Sequence, residues 1–107
     1  FETRARAVRD HLADALSTLP RLIEQNHPPS LHFYFANLSG IRRQIYPALL
    51  NAYDEWVKYG DVRELERQIE SGRAHWMQLA EQLVGIYESR IKTAWQQMES
   101  LIDSKSL

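Results

Sequence analysis

Residues 60–101 read GDVRELERQIESGRAHWMQLAEQLVGIYESRIKTAWQQMESL, and the spacing of their apolar side chains decides the fold. Gly60 suits the left-handed conformation that ends a helix. Asp61, with Glu64 three residues on, makes a capping-box pattern for the next helix. Beyond them Val62, Leu65, Ile69, Gly72, Trp76, Leu79 and Leu83 keep the three-and-four spacing of one helix face. Tyr87, Ile91, Ala94, Met98 and Leu101 carry the stripe on after one extra step of four, a stutter near Gly85 that locally relaxes a supercoil. The apolar phase survives Ser71-Gly72. We therefore expect one helix from about Val62 to Ser100, roughly 60 Å long at 1.5 Å per residue, with a tight break at Ser71-Gly72 as the alternative. Asp103 to Leu107 read as a frayed end.

Upstream, Leu31, Tyr34/Phe35, Leu38, Ile41, Ile45, Leu49, Ala52, Trp56 and Tyr59 form the stripe of a second helix. Pro47 removes a backbone donor without disturbing that phase, which predicts a bend at Tyr46–Pro47. A parallel stripe of Tyr46, Leu50, Tyr53 and Val57 widens the apolar arc. The segment Asn26-His27-Pro28-Pro29-Ser30 is the connection before it: Asn tolerates a left-handed helix end, the prolines cannot continue a helix, and Ser30 is a good N-cap. The first helix carries Ala5, Val8, Leu12, Ala15/Leu16, Leu19 and Leu22/Ile23, with Arg4, Arg6, Arg9, Asp10 and Asp14 on a solvated face. Pro20 fits a kink, or a restart near Ser17/Thr18.

The fold expected is all-α, an up-and-down bundle of three to four long amphipathic helices connected at 26–30 and 59–61. With 107 residues the chain reads as one domain, residues 1–107, and its start at Phe1 suggests an excerpt of a longer chain. The absence of Cys excludes disulfides, thiol catalysis and zinc–thiolate sites. Thirteen basic and 14 acidic residues, without a run of one sign, lack the electrostatic footprint of a nucleic-acid binder. A membrane role would need segments outside this chain.

His32-Phe33-Tyr34-Phe35 is the most unusual run. Four successive helical positions sweep about 300° of the circumference, so they cannot all face one core. His32, Phe33 and Tyr34 are candidates for contact with a ligand or partner helix; the plainer reading packs them under the Pro28-Pro29 loop. Arg42 and Arg43 could clamp an anion, although paired arginines are usually a solvated face. Tyr46 and Tyr53 complete the candidate set from the second stripe. Glu24 and His27 have the i, i+3 spacing of a metal-binding pair, but di-iron bundles need two such pairs. His11, His32 and His75 lack a carboxylate at motif spacing and read as surface or boundary residues. Tyr46-Pro47-Ala48-Leu49 has the form of a short docking peptide, but it lies mid-helix on the apolar arc.

No nucleophile, base and oxyanion donor assemble in the sequence, so neither catalysis nor a cofactor is expected. The wide arcs suggest more apolar surface than one small bundle hides, hence a homodimer burying part of the second or last helix. Function is expected to be a non-catalytic interaction and oligomerisation module of a regulatory or signalling protein. The alternative is a small-ligand-sensing helical domain of a membrane receptor, for which an extracytoplasmic position is open.

Overall fold

A computed structural model of the chain describes residues 2–105, and among these there is helix but no strand. α1 spans Glu2–Ala13, and a π-helical turn over Asp14–Thr18 leads into α2, Leu19–Gln25. α3 is Pro28–Ala36, α4 Gly40–Gln44, α5 Pro47–Tyr59 and α6 Arg63–Ser104. The class is all-α as expected. The architecture differs: in place of three or four long helices there is one 42-residue helix with several short ones against its first half. The molecule measures 74 × 22 × 20 Å, so α6 sets its length.

The π turn explains how Pro20 fits inside the first helical stretch. Leu19 N–H bonds to the Asp14 carbonyl, an i→i+5 link that widens the winding just where proline would strike the preceding turn. Wider winding calls for apolar steps of four, and His11, Ala15 and Leu19 are all buried at that spacing. Leu16, expected on the same face, is turned out to 44% exposure. Thr18 makes no side-chain cap, so the helix is rewound there rather than restarted.

Asn26 ends α2 in the left-handed conformation at φ 49°, as the sequence suggests. Ser30, however, is not the N-cap of the next helix. α3 begins at Pro28, with His27 extended before it, because proline's fixed φ and missing donor suit the first helical turn. The second helix is broken twice rather than bent once. Asn37 Nδ2 donates to the Phe33 carbonyl at 2.8 Å and closes α3. Gly40, at φ +63°, lets the chain re-enter a helix after Ser39. The second break falls at Ile45–Tyr46, where Pro47 opens α5.

Gly60 caps α5 at φ 68°, its N–H bonded to the Trp56 carbonyl at 2.8 Å. Asp61 accepts the Arg63 N–H at 3.0 Å rather than forming a box with Glu64. α6 then runs unbroken through Ser71 and Gly72 to Ser104, past the expected fraying point; Ser106 and Leu107 lie outside the described residues. Gly72 is where the Tyr46 ring lies on α6: an added Cβ would stand 2.3 Å from the Tyr46 hydroxyl oxygen. That hydroxyl donates to the Gln68 carbonyl at 2.6 Å.

α1 and α2 run antiparallel to α6, so that Ala5 and Val8 adjoin Leu79 and Leu83 while Leu22 and Ile23 adjoin Val62. The core between them holds Val8, Leu19, Leu31, Phe35, Leu38, Leu49, Ala52, Leu65, Ile69 and Trp76. Each large aliphatic buried there contributes on the order of 1.5–3 kcal/mol. His11 belongs to this core, at 1% exposure, and is not the surface residue its isolation suggested. Its ring stacks on Trp76 at 5.2 Å, meets Tyr46 edge-on, and sends Nε2 to the Arg42 carbonyl at 2.6 Å. Burial holds its pKa below the ordinary 6.5 and keeps the ring neutral, with the proton on the donating Nε2.

Candidate functional site

The two halves of α6 differ completely in their surroundings. From Leu65 to Leu83 the stripe residues pack against α1, the π turn, α2 and α5. From Val84 onward every described residue is exposed. The apolar stripe nevertheless continues: Val84 is 55% exposed, Tyr87 59%, Trp95 61%, Met98 53% and Leu101 60%. Counted in sevens, Val84, Ile91 and Met98 take one seam position of a coiled coil, and Tyr87, Ala94 and Leu101 take the other. The stutter read in the sequence therefore marks the place where α6 leaves the bundle. Isolated surface apolar residues need no explanation, but a contiguous stripe of this kind is the mark of an interaction surface.

The seven residues singled out from the sequence fall into separate places. Phe33, Tyr34 and Arg42 come together at a cleft of about 580 Å³, lined also by Thr18, Leu22 and Leu38. Phe33 stands at its edge, 71% exposed. Beside it, Tyr34 donates to Asp14 Oδ2 at 2.7 Å, and Arg42 is paired with the same carboxylate oxygen. Burial first, then the bond to Asp14, raises the Tyr34 pKa well above the ordinary tyrosine value, so the phenol keeps its proton. The Arg42 Nε is buried with no hydrogen-bond partner. Arg42 thus pairs with a carboxylate of its own chain, neither the anion clamp the sequence allowed nor the solvated face it more usually implies.

His32 and Tyr53 meet elsewhere, Nδ1 to hydroxyl at 2.7 Å, with the Trp56 ring 4.9 Å from the imidazole. Phe35 stacks on Tyr53 at 4.1 Å. The run at 32–35 is therefore divided, with Phe35 in the core, His32 and Tyr53 forming an aromatic surface cluster, and Phe33 and Tyr34 at the cleft. Tyr46 is a core residue, its pKa pushed up to about 12 by burial. Arg43 is exposed, with Nη1 3.5 Å from the Leu38 carbonyl. His27 Nδ1 is hydrogen-bonded to Ser30 at 2.7 Å, and among the described residues no three His, Asp or Glu gather as metal ligands.

Asp14 and the distal stripe are absent from that set. Asp14 carries no local sign of its role, because its partners lie 20 and 28 residues away. The distal stripe had a visible sign in the stutter, which dates the change of neighbours along α6.

No helix among the described residues is long and apolar enough to cross a membrane. No curated protein and no solved structure matches the chain. Residues 1–105 match the C-terminal domain of DUF6866, a family of unknown function, and the chain belongs to that family.

Proposed function

We propose that this domain is a non-catalytic helical interaction and oligomerisation module of a regulatory or signalling protein, and that the distal half of α6 is its docking face. The observation that carries the reading is three successive heptads of exposed seam residues, Val84 to Leu101, on a helix whose other half is fully committed to the bundle. Among the described residues the seam of this half-helix is left in water, and isolated helices of this length are marginal there. A partner laid along the stripe supplies the missing burial. The test is removal of everything after Leu83. The account expects the shortened chain to unfold cooperatively, with stability within about 0.5 kcal/mol of the parent at low concentration. Loss of the cooperative transition makes the distal half a structural element and ends the reading.

The cleft beside Phe33 supports a second reading, a small-ligand-sensing domain. Its apolar walls, with Arg42 among the lining residues, suit an amphiphile carrying one acceptor group. Decanoate titrated into the labelled protein tests it: saturable NMR shifts at Phe33 and Tyr34, abolished by Phe33→Ala, support the reading, and unsaturable shifts defeat it.

A further inference from the structure

We infer that the distal face of α6 is occupied by a second copy of this chain, laid antiparallel along the first; the inference rests on the interaction reading above. Four observations point to a copy of itself and to that direction.

The first is the match of side-chain sizes. Antiparallel pairing centred between Lys92 and Thr93 sets Ile91 opposite the partner's Ala94, Val84 opposite the partner's Leu101, and Tyr87 opposite the partner's Met98. Each layer then joins side chains that fill it evenly. A parallel, in-register pair would instead stack alanine on alanine at 94 and tyrosine on tyrosine at 87, a void beside an overfilled layer.

The second is position. At 100° per residue the distal stripe is turned only about 40° from the face that α6 gives to the bundle. A parallel copy would carry its own first half, with everything packed on it, into the space held by α1 and α2. An antiparallel copy leaves past Leu101 and meets nothing. Its tip lies back toward Leu83, where an open apolar pocket of about 420 Å³ between Ala5, Val8, Trp76, Leu79 and Leu83 prolongs the stripe.

The third is charge. Residues 84–105 carry three acidic side chains (Glu88, Glu99, Asp103) and three basic ones (Arg90, Lys92, Lys105). Two copies brought together therefore feel no net repulsion. The fourth is area. Val84, Tyr87, Trp95, Met98, Leu101 and Ile102 are each more than half exposed, apolar surface of the kind a stable interface buries.

The chain contains no cysteine, so introduced ones report alone. Sedimentation of the 107-residue chain is expected to show a dimer at tens of micromolar, weakened at least 100-fold by Ile91→Glu. In a mild oxidant, a mixture of Val84→Cys and Leu101→Cys chains is expected to form the mixed disulfide, while neither variant alone cross-links. In the antiparallel pair, like positions stand about 25 Å apart, beyond disulfide reach. Cross-linking of each variant to itself means a parallel pair and overturns the proposal. A monomer at high micromolar concentration also overturns it. If the chain cut after Leu83 still folds, that second result leaves the interaction reading standing with a different occupant.

Discussion

Leu65 and Leu101 sit on one continuous helix and belong to one apolar stripe, yet Leu65 is wholly buried and Leu101 is 60% exposed. No break in the helix separates them. The first half of α6 is covered because Gly60 folds α5 back against it and because α1 and α2 run antiparallel along it. The second half continues beyond those neighbours with its seam residues in water. Amphipathic spacing records that a face is meant to be covered, and the tertiary structure decides whether the same chain covers it.

That comparison can be broken by leucine deletion. Leu65→Ala is expected to lower the unfolding free energy by about 2–5 kcal/mol, as for other fully buried leucines. Leu101→Ala, measured by denaturant titration at low micromolar protein, should change it by no more than about 0.5 kcal/mol. Similar losses at the two sites would mean that the halves are not different in kind.

The two glycines of α6 sharpen it further, because they predict opposite signs. Gly72→Ala drives a methyl group into the Tyr46 ring, whose hydroxyl is tied to the Gln68 carbonyl, and should destabilise by about 1–3 kcal/mol. Gly85→Ala meets nothing within 4 Å and should stabilise by up to about 1 kcal/mol through helix propensity. Thermal denaturation of both variants against the parent reads the difference directly.

A smaller effect separates the halves by pH. His11, packed on the proximal half through Trp76, has a folded pKa below its ordinary 6.5, so the unfolded chain takes up the proton first. Stability is then full above that value and declines as pH falls through 6.5 toward the lowered pKa, by at most about 1.4 kcal/mol per pH unit. Urea titrations at pH 7.5 and 5.5 should show the decline, and His11→Asn should flatten it. The distal half, which carries no histidine, should keep its pairing strength across the same range.

How much of this could be read in advance follows from the range of each signal. The ends at Asn26 and Gly60 were legible because a left-handed residue marks itself locally. The break at Asn37–Ser39 was not, and Pro47 announced the one at Ile45–Tyr46 only as a bend, since Leu38, Ile41 and Ile45 keep a helical phase across gaps where the helix is absent. His11 shares the spacing of Val8 and Ala15, and could have been placed in the core on that ground. The meeting of Asp14, Tyr34 and Arg42 depends on how the π turn, α3 and α4 pack, and no local pattern carries it. The distal stripe itself was plain; its lack of a neighbour is a tertiary fact.

The central claim is that one helix serves two purposes, a scaffold up to Leu83 and a docking face beyond it. Hydrogen exchange along α6 at increasing protein concentration tests it most directly. The account predicts slow exchange from Leu65 to Leu79 at every concentration, and fast exchange from Val84 to Leu101 at the lowest concentration that slows as the chains pair. Equal protection of both halves at the lowest concentration would contradict it.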